Sequence, residues 1–254
     1  MRQAGTGALV TGAARRIGRA IALDLASHGF VVAVHCDGSR EDAEHLCDII
    51  NKDGGTARVV QADLTDANAT RHLVDNAIEA VGPLGIVVNN ASIFEDDSVT
   101  DFTDDTWDQH FNIHVKAPAL IAQALARSLP DNGEALIVNM IDQRVWRPNP
   151  RFFSYTLSKS ALWTATQTMA QALAPRIRVN AIGPGPTLAN ARQDEASFNR
   201  QIDGLILKRG PELPEFGATI RYLWETPSIT GQMIALDGGQ HLAWETPDIA
   251  GVTE

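Results

Sequence analysis

The chain has 254 residues, 44% of them hydrophobic and 20% charged, which supplies a packed core and excludes a disordered protein. Its 31 acidic against 21 basic residues leave a net charge of −10, which argues against nucleic-acid or anionic-membrane partners, since both need a basic face. In chain order, Ala8 to Val10 is a short apolar run that meets Thr11-Gly12. Ile17, Ala20, Ile21 and Leu25 then recur at helical spacing until Gly29. Phe30 to Val34 has the length of a buried strand, and Ser39-Arg40-Glu41-Asp42 opens a helix that stops at Gly54-Gly55. The alternation continues with a strand from Ala57 to Ala62, a helix from Asp66 to Val81 and a strand from Ile86 to Asn89. One long helix is expected from about Thr103 to Leu129, then a strand from Leu136 to Ile141. Tyr155 to Ala174 reads as helix, Ile177 to Ile182 as strand, Pro211 to Trp224 as helix and Met233 to Leu236 as a last short strand. Between Gly183 and Gly210 the only pattern is a short one from Phe198 to Leu207, so a mobile segment beside a site is expected there, at about 187–209.

Repeated strand-helix units predict an α/β fold with one doubly wound parallel sheet. Parallel neighbours need crossovers, and the crossover helices cover both faces. The strands are apolar without alternation, as such burial requires. No linker or repeat interrupts the series, so residues 1–254 are expected to form a single domain. Cys36 and Cys47 are too few for a disulfide framework and lack metal-ligand spacing, so no metal is expected and a reducing, cytoplasmic setting fits. Met1 to Gly12 contains no long apolar stretch, so neither a signal peptide nor a membrane span is expected.

Two places carry chemistry. The turn Thr11-Gly12-Ala13-Ala14-Arg15-Arg16-Ile17-Gly18 follows the first strand and opens the first helix, where backbone N–H groups face an anion such as a pyrophosphate. Tyr155 and Lys159 stand one helical turn apart, so their side chains share a face. An ammonium near a phenol stabilises the phenolate and lowers the tyrosine pKa.

Thr11-Gly12 with Gly18, then Asn89-Asn90-Ala91, then Tyr155 with Lys159, and finally Pro184-Gly185 resemble the ordered signature of the short-chain dehydrogenase/reductase family over essentially the whole chain. The resemblance implies a Rossmann-type domain, a nicotinamide cofactor and a homo-oligomer, here a homotetramer. The hydrophobic helix around Leu162 and Met169 and the apolar last strand agree with self-association. It also implies that Lys159 holds the nicotinamide ribose and that Asp63 contacts adenine. Ile17, His35, Leu64, Asn90, Ala91, Ser92, Pro184 and Gly185 belong to the cofactor groove on the same grounds. Arg16 replaces a third glycine common in the family. Arg15, Ser39 and Arg40 are placed to surround a 2′-phosphate, which favours NADP(H), while Asp37 suits the ribose hydroxyls of NAD(H) and keeps that cofactor open.

Two departures sharpen the reading. Thirteen residues before Tyr155, where most members have a serine, stands Asp142. An ionised carboxylate cannot donate to a carbonyl, and it tends to raise the phenol pKa against Lys159. Counted back from Pro118, the family's catalytic asparagine falls on His114, with Asn112 two residues earlier; either could anchor a water that connects the lysine to solvent. Asp142 and Arg16, with Asn90-Ala91-Ser92-Ile93-Phe94, resemble one branch, the pteridine reductases and bacterial dihydromonapterin reductases. That implies a flat heterocycle between the nicotinamide and Phe94, with Ser92 on it, Arg16 at its acceptor edge, Asp142 at its N–H groups and Trp146 as a further wall. The expected activity is NADPH-dependent reduction of a dihydropterin, with Asp142, Tyr155, Lys159 and His114 catalytic. The alternative is a carbonyl reductase or alcohol dehydrogenase for another small substrate. A third reading, a non-catalytic nucleotide-binding protein, leaves the complete Tyr155 and Lys159 pair without a purpose.

Overall fold

The computed structural model describes residues 5–189 and 194–246. The chain begins with β1 (Gly7–Val10), α1 (Arg16–Ser27), β2 (Val31–Cys36), α2 (Arg40–Lys52), β3 (Thr56–Gln61), α3 (Ala67–Val81) and β4 (Leu84–Asn89). It continues through α4 (Asp104–Phe111), a π-helical turn (Asn112–Lys116), α5 (Ala117–Ser128), β5 (Ala135–Met140) and α6 (Phe153–Leu173). It ends with β6 (Ile177–Pro184), α7 (Glu195–Asp203), α8 (Leu213–Glu225) and β7 (Met233–Leu236).

β1, β4 and β5 are buried at every residue, which only a sheet covered on both sides allows. The strands pair in parallel throughout, in the order β3-β2-β1-β4-β5-β6-β7, the doubly wound sheet expected from the alternation. On one face Ile21 of α1, Leu46 of α2 and Phe216 of α8 enter the core. On the other, Leu73 of α3, Ile121 of α5 and Ala170 of α6 do. The strand order reverses between β1 and β4, so the loops leaving their carboxyl ends part and open a crevice.

Three expectations need correction. The long helix expected from Thr103 to Leu129 is two helices joined by the π-helical turn. Pro118 has no N–H to give the His114 carbonyl four residues back, and the chain widens there before resuming as α5. The described part of the expected mobile stretch contains a helix, α7, whose first turn is capped by Asp194 accepting from the Ser197 N–H. Leu162, expected at an intersubunit surface, instead packs inside its own chain with Ile141, Ala181 and Met233, and Met169 packs against the α3–α5 core. Cys36 and Cys47 are free thiols, both buried. Among the described residues, no helix is long and apolar enough to cross a membrane, and no acidic, histidine or cysteine side chains are grouped to hold a metal.

Candidate active site

The crevice begins at the end of β1. Thr11 Oγ1 donates to the Val88 carbonyl at 3.3 Å and accepts the N–H groups of Asn90 and Ala91 at 2.9 and 3.0 Å. Asn90 returns its side-chain amide to the carbonyls of Thr11 and Gly12 at 2.8 and 3.1 Å. The two residue pairs of the motif thus tie the glycine turn to the end of β4. Gly12 has φ +60°, and a Cβ there would stand 3.0 Å from Ala91 Cα; a Cβ on Gly18 would fall 2.3 Å from the Gly12 carbonyl. The turn closes only without these side chains. Beneath it, His35 Nδ1 accepts the Gly12 N–H at 3.0 Å, which leaves the proton on Nε2 to donate to the Ala62 carbonyl at 3.1 Å. Burial lowers the His35 pKa to about 4, so the ring is neutral in this role.

The turn borders a groove of about 920 Å³ that also takes in Ser39, Asp63, Leu64 and Ser92. Arg15 lies in its wall, with Nε donating to Asp42 at 2.6 Å. Arg40, expected beside it, turns to Glu44 at 2.7 Å and Gln61 at 3.1 Å and does not line the groove. Asp37 does line it, and so does Asn112. Asp63 is locked by Thr65, whose N–H and hydroxyl donate to Oδ1 and hold the carboxyl below its ordinary pKa.

A second cavity, of about 590 Å³, shares Arg16, Ile17, Asn90, Ser92 and Phe94 with that groove and continues past Lys159 to Pro184 and Gly185. Here α6 brings Tyr155 and Lys159 to one face, opposite the residue that leaves β5. The Tyr155 hydroxyl donates to Asp142 Oδ2 at 3.0 Å. The Arg144 N–H donates to Asp142 Oδ1 at 2.8 Å, and the Arg144 guanidinium stands 3.8 Å from Oδ2. Lys159 Nζ donates to the Met140 carbonyl at 2.8 Å and lies 5.6 Å from the Tyr155 ring centroid.

Burial raises the Asp142 pKa, opposed by Arg144 and the Tyr155 hydrogen bond. Burial and then the Asp142 charge push the Tyr155 phenol well above its ordinary value. The expectation that Lys159 lowers the phenol pKa is therefore overturned: burial and the adjoining carboxylate win. Lys159 is itself lowered to about 8 by burial, with Asp142 opposing.

The far wall is aromatic. Phe94 stacks on Phe152 at 4.2 Å and 11° and meets the Tyr155 ring edge-on at 4.7 Å. The Arg144 guanidinium lies 4.7 Å over Phe152 and 5.5 Å from Phe94, with its Nη1 buried and without a hydrogen-bond partner. Phe152 holds this stack from a left-handed backbone, φ +56°, at a cost of about 1–2 kcal/mol. Arg16 is left-handed as well, φ +53°, and donates to the carbonyls of Leu188 and Ala189 at 3.2 and 3.1 Å.

His114 comes to the site from the π-helical turn, but its hydrogen bonds go to Ser158 Oγ at 2.8 Å, Ser92 Oγ at 2.9 Å and the Ile93 N–H at 3.3 Å, not to Lys159. Trp146, expected as a wall, points away to Trp163 and His241 and does not line the cavity. Arg144, Phe152 and His110 escaped sequence reasoning. The first two sit in no motif, while His110 stands one turn before His114, a spacing that signals a shared face.

The sequence pattern of the short chain dehydrogenase family matches residues 6–200. The chain belongs to that family. A short-chain type dehydrogenase/reductase from Picea abies is 32% identical over 247 residues, covering 92% of this chain and 91% of that protein. Among solved structures, FolM alternative dihydrofolate reductase 1 from Brucella canis, complexed with NADP, is 59% identical, with a TM-score of 0.95 over 97% of this chain and 98% of that one. A short chain dehydrogenase from Burkholderia cenocepacia in complex with NADP is 36% identical, with a TM-score of 0.88 over 96% and 100% of the two chains. In this short-chain dehydrogenase, then, the phenol of Tyr155 is bonded to a carboxylate, that of Asp142.

Proposed function

We propose that the protein is an NADPH-dependent reductase of a dihydropterin. The observation that carries this reading is the Tyr155 hydroxyl held 3.0 Å from the Asp142 carboxylate in a cavity walled by Phe94. A carboxylate offers nothing to a simple ketone, whose oxygen needs a donor, whereas it suits a heterocycle edged with N–H groups. The 59% identity to a FolM alternative dihydrofolate reductase complexed with NADP supports the same substrate class and cofactor.

The groove fits the cofactor by its lining: the closed glycine turn and the start of α1 border it, where a helix N-terminus favours a pyrophosphate, and Asp63 and Ser39 line the rest. We assign Thr11, Gly12, Arg15, Ile17, Gly18, His35, Ser39, Asp63, Leu64, Asn90, Ala91, Ser92, Pro184 and Gly185 to it, with Arg15 and Ser39 toward the 2′-phosphate. Arg40 stands outside this set. Lys159 takes the nicotinamide ribose. When bound, NADPH supplies a hydride to the carbon of the substrate C=N bond. Tyr155 gives its proton to the nitrogen, and its raised pKa keeps that proton in place at neutral pH until the bond is reduced. Lys159, with a pKa of about 8, is the cation that restores it. Asp142 and Arg16 orient the heterocycle by its edges, and Ser92 and Phe94 fix it against the nicotinamide. Leu188 with Ser197 and Phe198 of α7 cover the outer side of the cavity as a substrate loop.

The enzyme is further proposed to be a cytoplasmic homotetramer. Leu157, 38% exposed on α6, and Trp244, 73% exposed, are apolar surface for a second copy, and two free thiols suit a reducing compartment. Sizing chromatography with light scattering checks the assembly.

Initial rates with NADPH or NADH on dihydrobiopterin, dihydromonapterin and dihydrofolate, beside quinones and keto-esters, test the function. Turnover of the pterins with NADPH is expected. Turnover confined to quinones or keto-esters would replace the reading with a carbonyl reductase.

A further inference from the structure

Two buried histidines have no part in the reaction just described, and they are arranged alike. His110 lies in the last turn of α4 and His114 in the π-helical turn after it, with rings stacked at 5.6 Å and 15°. Through Nδ1 each meets a serine on α6: His110 meets Ser154 Oγ at 2.7 Å, and His114 meets Ser158 Oγ at 2.8 Å. Through Nε2 each meets the strap that follows β4. The Glu95 N–H donates to His110 at 3.4 Å and the Ile93 N–H to His114 at 3.3 Å, and His114 Nε2 also meets the Ser92 hydroxyl of the same strap at 2.9 Å.

The direction of these bonds is fixed. A backbone N–H can only donate, so both Nε2 atoms accept and both ring protons sit on Nδ1. The serines carry the same sense onward, Ser154 donating to the Asp97 carboxylate and Ser158 to the Tyr155 carbonyl at 2.7 Å. The rings are therefore neutral, and their surroundings keep them so. Burial lowers both pKa values, and the Lys159 ammonium lowers that of His114 further. Asp97 and Glu95 oppose this at His110 without overcoming burial.

Phe94 is the residue between the two captured amides, and its ring meets Tyr155 at 4.7 Å. We propose that His110 and His114 form a two-rung neutral clamp that sets where the Phe94 ring stands over the substrate cavity. Both are positioning residues for the bound heterocycle, not proton carriers. Neither ring has a hydrogen bond to Lys159, Tyr155 Oη or Asp142. That the positioned guest is a pterin rests on the function proposed above; the clamp itself does not.

The test uses the full-length protein. His114→Asn keeps an amide at the Nδ1 position, which reaches Ser158 but is too short for the strap, and His114→Gln places its amide oxygen at the Nε2 position, where it can accept from the strap. Amide exchange read by NMR is expected to speed up about tenfold at Ile93 in His114→Asn, while Glu95 keeps its protection and certifies the fold. His114→Gln is expected to restore the Ile93 protection. In kinetics with NADPH and dihydrobiopterin, the loss in His114→Asn is expected in KM for the pterin and not in kcat. Unchanged exchange at Ile93 would overturn the clamp, as would a fall in kcat alone. Imidazole nitrogen shifts of the unmutated protein give the tautomer directly, and a proton on Nε2 of either ring would also overturn it. If the protein reduces no pterin at all, the exchange and tautomer measurements still decide the clamp, and only the substrate reading falls.

Discussion

At the cofactor end of the cleft side chains tie down main chain, and at the substrate end side chains hold one another. Thr11 and Asn90 bind backbone atoms of the turn and of β4, and Gly12 and Gly18 contribute by lacking side chains. Across the cleft, Asp142, Arg144, Phe94, Phe152 and Tyr155 hold one another through an ion pair, a hydrogen bond and stacked rings. A pyrophosphate looks the same in every dinucleotide, so a backbone cradle can serve any member of the family. A substrate differs from member to member, and only side chains can follow it.

Four experiments probe this contrast. Tyr155→Phe is expected to lower kcat by roughly 10²–10⁴-fold with NADPH affinity retained, measured by steady-state rates and fluorescence titration. A matching loss of NADPH affinity would show that the two ends are not separable. The second concerns His35, which supports the cofactor end from below. Folded, it stays neutral down to about pH 4, whereas in the unfolded chain it takes a proton near 6.5. The unfolded chain thus binds more protons in that interval, and stability falls as pH drops through it, by on the order of 3 kcal/mol from this ring alone. Urea unfolding at a series of pH values measures the slope, and His35→Asn is expected to flatten it.

Third, Asp142→Ser is expected to reduce kcat/KM for the pterin by roughly thirtyfold, about 2 kcal/mol for a lost charged hydrogen bond, and to leave NADPH binding in place. Pterin turnover equal to that of the unmutated enzyme would remove Asp142 from the mechanism. The smallest effect is at Gly12. Alanine there must hold φ +60° with its Cβ 3.0 Å from Ala91. NADPH Kd is expected to rise roughly tenfold, about 1–2 kcal/mol, while the pterin KM moves little.

The same contrast explains what could be read from the sequence. Strand and helix alternation, the glycine turn and the Tyr155–Lys159 spacing are periodic or local, and each is in place in the structure. Asp142 was legible because it stands at a counted distance from Tyr155. Arg144 and Phe152 were not, because their importance comes from a stack assembled by three separate segments. The break at Asn112–Lys116 had a signal in Pro118, which hydrophobic periodicity alone outvoted. The helix at Glu195–Asp203 fully buries none of its residues, so the pattern begun at Phe198 was too short to tell a helix from a loop. Its cap, Asp194 with Ser197, was the second local trace.

The two thiols make this chain a quiet background for labelling. Cys36 is only 2% exposed and Cys47 6%, and burial raises both pKa values, that of Cys47 to about 11. Thiolate, the species that attacks maleimides, is therefore scarce at both sites. A cysteine introduced at Val99, which is 65% exposed and lies just beyond the Phe94 strap, would give a fluorophore a single target. Ligand-dependent motion there could then be followed in the otherwise native enzyme.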